Sequence, residues 1–170
     1  MNKNHHVLYL SYDGLSDPLG QSQIIPYVLG ISKKYHLNFT IISFEKKDLF
    51  IKKHHQIQKP LLEEDINWIP IFYTKTPPIL STIFDIFKLK KSIIKLLKDK
   101  KIDIIHSRGY ISSLVALSFK KKYNIPFIFD MRGWWADEKL ESGNWDSLIF
   151  KYVYKYFKKK ERIFFKKADK

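Results

Sequence analysis

Short apolar runs alternate with longer stretches of helical period along the whole 170-residue chain. Residues 7–12 form the first such run, which stops at Asp13-Gly14 and opens into the turn formers Asp13-Gly14-Leu15-Ser16-Asp17-Pro18-Leu19-Gly20. From Gln21, the apolar positions Ile24, Ile25, Tyr27, Val28, Leu29 and Ile31 mark a helix running toward Lys34. Residues 38–44 are β-branched and aromatic and predict a second strand, and a partly helical, Lys- and His-rich stretch then leads to Pro60. Residues 66–73 predict a third strand, which Pro70, having no N–H to donate, places at an edge. Thr76-Pro77-Pro78 breaks the chain before a long helix over 80–98. There Ile83, Phe84, Phe87, Ile94 and Leu97 hold one face, and seven lysines between 88 and 101 crowd the others. A fourth strand over 102–106, a helix over 110–123 and a fifth strand over 126–131 follow. Beyond a loop with Gly133, Trp134, Trp135 and Gly143, residues 145–165 predict a final amphipathic helix.

Strands alternating with helices of this length imply βαβ units: an α/β, Rossmann-like, doubly wound domain with a mainly parallel sheet. Ligands of such sheets bind beyond the carboxyl ends of the strands, where the strand order reverses. With order 3-2-1-4-5, the loops 13–20, 106–110 and 130–138 converge on that crevice. The less common residue types of the chain sit in the same loops.

Composition narrows the reading. The length suits one domain, or half of a two-domain enzyme. Absence of cysteine excludes disulfide scaffolds, thiol nucleophiles and Cys-based zinc sites. No 18-residue apolar run exists, and the N-terminal run is too short for a secretory signal, so the expected location is the cytoplasm. Net charge is +14, divided as +1 over residues 1–85 and +13 over 86–170. That asymmetry suits an anionic partner: nucleic acid, an acidic membrane surface or a phosphorylated ligand. AT-rich codon usage, which favours Lys, is the competing explanation. It does not account for the three arginines, two of which, Arg108 and Arg132, fall in the converging loops.

The first loop places Gly20 and Gln21 at a helix start, where free N–H groups can meet an anion and glycine admits close approach. The same residues could serve only as turn former and helix cap. No dinucleotide or P-loop glycine motif is present. In the second loop, His106 can donate to a hydroxyl or phosphate and Arg108 can clamp an anion through paired hydrogen bonds. In the third, Asp130, Arg132, Asp137 and Glu138 surround Trp134 and Trp135, and carboxylates beside aromatic faces form sugar sites. A buried tryptophan pair with an Asp–Arg salt bridge holding the loop is the structural alternative. The pairs His5-His6 and His54-His55 lack metal-ligand spacing, and no metal is expected.

Three segments, VLYLSYDGLSDPLGQSQIIPY (7–27), DIIHSRGY (103–110) and FIFDMRGWWADE (127–138), together with the closing FFKKAD (164–169), resemble bacterial glycosyltransferases of family 4. Those enzymes adopt the GT-B fold of two Rossmann-like domains, retain anomeric configuration and need no metal or other cofactor, the nucleotide-sugar donor being a co-substrate. The resemblance implies that residues 1–170 are the N-terminal, acceptor-binding half. Gly20 then approaches the donor diphosphate, and His106, Arg108, Asp130, Arg132 and Asp137 line the reaction cleft. Asp130, Arg132 and Asp137 are the catalytic candidates, and Gly20, Gln21, His106, Arg108, Trp134, Trp135 and Glu138 the substrate-binding ones. No residue matches the family's donor-binding domain, and the family's KAD segment leads into a further strand, so the domain is expected to be incomplete at its C-terminus.

Expected partners are a nucleotide sugar, a glycan or lipid-linked acceptor, a separate donor-domain chain, and an anionic membrane surface at the inner face of the cell membrane. Residues 145–170 carry nine basic and three acidic side chains beside the apolar Leu148, Ile149, Tyr152, Val153, Tyr156 and Phe157, which suits peripheral membrane binding or packing on the sheet. A non-catalytic acceptor-binding or membrane-docking subunit is the second functional reading. Nucleic acid is not an expected partner, because the lysines lie on helices and no nucleic-acid motif is present.

Overall fold

A computed structural model describes residues 5–143 and 145–170. Five strands, β1 (His6–Ser11), β2 (Asn38–Glu45), β3 (Asn67–Phe72), β4 (Ile104–Arg108) and β5 (Phe127–Asp130), form one sheet of order β3-β2-β1-β4-β5. Every pairing is parallel. The fold is therefore the expected Rossmann-like α/β sheet, with β3 and its Pro70 at an edge. Alternation along each strand divides the core between the two faces of the sheet. Val7, Tyr9, Phe39 and Ile41 pack with Ile25 and Val28 of α1 (Ile25–Tyr35) and with Ile57 and Leu61 of α2 (Lys47–Glu63). Leu8, Leu10, Ile42 and Phe44 face the other way, toward α3 (Leu80–Asp99), α4 (Gly109–Tyr123) and α6 (Leu148–Lys167). A π-helical turn, Gly20–Ile24, leads into α1, and the short α5 (Trp135–Glu141) lies in the third loop.

Several elements differ from expectation, each for a local reason. Helix α2 runs past Pro60, because the proline removes only one backbone donor and the next residue, Leu61, is fully buried. Strand β4 starts later than expected and continues past His106 through Ser107 and Arg108, which are thus strand residues and not loop residues. Asp103 stands just before it, its carboxylate accepting from the His6 backbone N–H at 2.8 Å. The third loop is partly helical, and α6 begins after Trp145, which is buried against Trp135 at a ring separation of 5.1 Å.

Helix α3 is rotated from the expected face. It buries Ser81, Asp85, Leu89, Ile93 and Leu96, whereas Phe84 is 57% and Phe87 62% exposed. Asp85 fixes this rotation: its carboxylate accepts from Tyr12 Oη at 3.0 Å and from the Thr74 N–H and hydroxyl at 3.0 and 2.8 Å, and pairs with Lys88 at 3.0 Å. At the far edge, the Asp169 N–H donates to the Phe127 carbonyl and the Phe129 N–H to the Lys170 carbonyl. The last two residues thus run along the outer side of β5.

The first loop is folded around one buried carboxylate. Glu45, at the end of β2, accepts from the backbone N–H groups of Leu15 and Ser16 at 2.7 and 3.1 Å, from the Ser43 hydroxyl at 2.6 Å and from the Ser16 hydroxyl. Against this anchored turn Gly20 packs so closely that a Cβ would lie 2.1 Å from the Gly14 carbonyl oxygen. Glu45→Gln turns an amide NH₂ toward these donors and is expected to lower the unfolding free energy by about 2–3 kcal/mol. Exposed Glu63→Gln should change it by less than about 0.5 kcal/mol. Urea denaturation of the two variants checks this, and equal midpoints would remove Glu45 as the anchor.

Candidate functional site

Beyond the carboxyl ends of β1, β4 and β5 lies a crevice of about 380 Å³, at the reversal of strand order where parallel sheets hold ligands. Its lining includes Tyr12 and Asp13 from the first loop, Arg108 and Tyr110 at the β4–α4 junction, and Arg132, Trp135 and Glu138 from the third. Of the residues singled out from sequence, Arg108, Arg132, Trp135 and Glu138 therefore meet in one place.

Both arginines are held by carboxylates. Arg132 Nη1 lies 3.1 Å from Asp13 Oδ2, joining the first loop to the third. Arg108 Nη1 lies 3.2 Å from Asp130 Oδ2, and its Nη2 donates to Gln23 Oε1. Arg108 Nε is buried without a hydrogen-bond partner. Ladder registry explains the second pair: Arg108 stands opposite Ser11 on one side and Asp130 on the other. His106, two residues earlier on the same face, is buried between the rings of Tyr9 and Tyr27, with centroids at 4.6 and 5.4 Å. Its Nε2 approaches Asp130 Oδ2 to 3.4 Å without hydrogen-bond geometry. Burial opposes ionisation of Asp130, but His106 and Arg108 outweigh it and hold the carboxyl below its ordinary value of 3.8.

Other candidates make their contacts outside the crevice. Gly20 is buried beneath Gly14 and Leu15, so its missing Cβ is explained by backbone packing within the loop. Gln21 turns inward and donates to the Ser16 carbonyl at 2.9 Å. Asp137 faces α6, accepting from Tyr154 Oη at 2.9 Å and from Lys158 Nζ at 2.8 Å. The hydrogen bond from Lys158 is the main reason its carboxyl stays below the ordinary aspartate range. Trp134, 55% exposed, lies under Lys158 Nζ at 4.8 Å from its ring centroid, on that same side. Gly133 lies against the folded-back Glu138, whose Oε1 would be 2.5 Å from a Cβ added there.

Sequence reasoning placed Asp13 and Tyr110 in converging loops without singling them out, and missed Tyr12 as a lining residue and Glu45 and Glu161 as anchors. Glu161 is buried on α6 and accepts from Tyr110 Oη and from Lys158 Nζ, the latter at 2.7 Å. The available signal was a lone acidic residue within an otherwise β-branched or basic amphipathic segment. Among the described residues, no group of three or more His, Cys, Asp or Glu could hold a metal ion, and no helix is long and apolar enough to cross a membrane.

Chemically, the crevice offers two guanidiniums for an anion, an indole face for an apolar surface and carboxylates for hydroxyl groups. The family model described as Glycosyltransferase Family 4 matches residues 45–170. Among solved structures, the C-terminal domain of a hydrogenase from Pyrococcus furiosus is similar with a TM-score of 0.53 at 15% identity, covering 76% of this chain and 93% of that one. That likeness shows the shared fold alone. A glycosyltransferase from Rickettsia africae ESF-5 aligns at 24% identity and a TM-score of 0.47, over 76% of this chain and 30% of that one. A UDP-GlcNAc 2-epimerase from Neisseria meningitidis, bound to UDP-GlcNAc, aligns at 14% and 0.46, over 73% and 31%. The chain thus spans about a third of the length of these last two proteins. No curated protein matches it.

Titration of Asp130 tests the electrostatics. Followed by carboxyl carbon NMR, its midpoint should lie below 3.8 and rise in Arg108→Gln. Because the folded value is the lower one, the stabilisation from this group is fully present above the unfolded value and is lost as pH falls through the folded one. A midpoint unchanged in the variant would disprove the coupling.

Proposed function

The chain belongs to Glycosyltransferase Family 4, and on that footing we propose that it is the acceptor-binding half of a sugar-nucleotide-dependent, retaining glycosyltransferase. Its substrate would be a cell-envelope polysaccharide or a lipid-linked glycan, reached from the cytoplasmic face of the membrane. A second Rossmann-like domain, on the same or a separate polypeptide, would supply most contacts to the donor nucleotide. The observation that carries this reading is the pairing of Arg108 and Arg132 with Trp135 in one crevice at the reversal of strand order.

In sugar transfer, negative charge grows on the departing nucleoside diphosphate while the acceptor hydroxyl attacks. Fixed cations aimed at that charge lower the barrier, and loss of one such group costs about 10²–10³ in rate. Arg132 suits the task because its partner Asp13 is 46% exposed, and a half-exposed ion pair contributes only about 0–1 kcal/mol. A phosphate can displace that carboxylate at little cost, leaving Asp13 beside the reacting atoms. Arg108, paired with a more enclosed Asp130, is the stiffer of the two. Trp135 offers a ring face to the acceptor, and Glu138 can accept from its hydroxyls. Asp137, bonded to Tyr154 and Lys158, holds α5 on α6 and takes no part in transfer.

Transfer of labelled sugar from UDP- and GDP-sugars to a lipid-linked acceptor, with this chain alone and joined to a donor-binding domain, tests the proposal. Transfer is expected only when both halves are present. Arg132→Ala should then reduce it about 10²-fold, while Asp137→Asn should lower the melting temperature and leave turnover near wild type. Turnover by the chain alone, or full activity of Arg132→Ala, would refute the assignment.

A further inference from the structure

We propose that the outward face of α3 docks one helix of a partner protein, paired side by side as in a coiled coil and acidic along its flanks. This goes beyond the function proposed above and does not depend on it. Asp85 turns α3 so that Ser81, Asp85, Leu89, Ile93 and Leu96 are buried, and the opposite row is left in solvent. That row runs Leu80, Phe84, Phe87, Lys91, Ile94 and Lys98, at steps of four, three, four, three and four residues, which is the a/d spacing of a heptad repeat. Its apolar members are 53%, 57%, 62% and 42% exposed. With Phe84 at an a position, the flanking e and g positions are Ile83, Lys88, Lys90 and Lys95.

Spacing and charge select the occupant. A helix that packs on a core presents a wide apolar stripe, whereas a strict a/d row is the narrower seam of helix pairing. Lys91 divides this row between Phe87 and Ile94. A bilayer would have to take that ammonium into its acyl boundary, whereas a coiled coil uses a single lysine at an a position to fix register. The acidic residues of α3 are Asp85, which is buried, and Asp99, its last residue. A second copy would therefore set lysine against lysine in either orientation, which opposes pairing. Lys88 is engaged by Asp85, but among the described residues Lys90, Lys91, Lys95 and Lys98 form no ion pair. The partner that completes the seam is a helix with apolar a and d residues, glutamates or aspartates beside them, and a carboxylate facing Lys91.

The probe is a labelled three-heptad peptide with leucine at a and d and glutamate at e and g, whose own charges oppose self-pairing. Its fluorescence anisotropy is followed against the 170-residue chain at physiological salt. Saturable binding is expected, about tenfold or more tighter than that of the same peptide with lysine at e and g. Phe87→Asp places a charge in the seam at an exposed position and should weaken binding about tenfold or more, with an unchanged circular-dichroism melting curve verifying the fold. The double variant Lys90→Glu/Lys95→Glu removes no apolar contact and should reverse the preference toward the lysine peptide, so it decides the matter even if Phe87→Asp unfolds. No binding, equal binding of both peptides, or an unreversed preference in the double variant overturns the proposal. Concentration-dependent dimers in sedimentation equilibrium, lost in Phe87→Asp, would overturn it in favour of a second copy. Retention on anionic phosphatidylglycerol vesicles without peptide binding would overturn it in favour of a membrane surface.

Discussion

Glu45 ends β2 with its carboxylate fully buried, and the geometry of the crevice depends on the donors that turn toward it. An unpaired charge at that depth is prohibitive, so the chain after β1 must fold back to present the Leu15 N–H and the Ser16 N–H and hydroxyl, which join the hydroxyl of Ser43 on β2. The network extends outward, because the indole N–H of Trp68 donates to Ser43 Oγ at 2.8 Å and so ties edge strand β3 to the same anchor. Once Leu15 and Ser16 are fixed, Gly20 must pass over them without a side chain, and the π-helical turn into α1 follows. Asp13 is thereby left at the crevice facing Arg132. A polar group in the core thus positions a charged group at the surface.

A second buried carboxylate sets the other wall. Glu161 of α6 accepts a hydrogen bond from the Tyr110 hydroxyl and shares Lys158 with Asp137. This chain of contacts joins the first turn of α4, the short α5 and α6. It explains why Asp137 and Glu138, neighbours in sequence, have different surroundings. Adjacent helix positions do not share a face, so when Asp137 turns to Lys158, Glu138 turns to Gly133 and the crevice. Burial and its hydrogen bond to Glu161 push the Tyr110 phenol well above its ordinary range, so this link stays protonated through neutral pH.

Parallel pairing was legible because strands alternate with helices, strand order because doubly wound sheets commonly share it, and the edge position of β3 because a proline has no donor. The convergence of three loops was legible too, since topology alone places it. What could not be read was the rotation and register of elements decided by distant partners. Strand β4 is read two residues early from sequence, which ends it at His106 and leaves Ser107 and Arg108 in a loop when they are ladder partners of Leu10 and Ser11. The buried face of α3 looks like the unlikely one in sequence because it contains Ser81 and Asp85. Its anchor, Thr74, lies on another segment. Gly20 was read as room for a ligand, and the space it frees is taken by the chain's own backbone.

The same competition accounts for the exposed face of α3. Turning α3 to bury Phe84 and Phe87 would gain at most about 1.5–3 kcal/mol for each, and less here, because both are already partly covered. It would strip Asp85 of three hydrogen bonds, each to a charged group and worth about 1.5–3 kcal/mol, and of its ion pair with Lys88. The polar anchor prevails. On α6, Glu161 and Phe164 are buried near the C-terminal end while Leu148 and Ile149 at the other end stay exposed. Each helix is therefore held by a buried carboxylate that leaves part of its apolar surface uncovered. Apolar surface of this extent is expensive to leave in water, and proteins that keep it exposed use it for binding. Here it persists because the carboxylates that organise the crevice also fix the helices beside it, so the shape of the polar site and the exposure of the apolar one have a common cause.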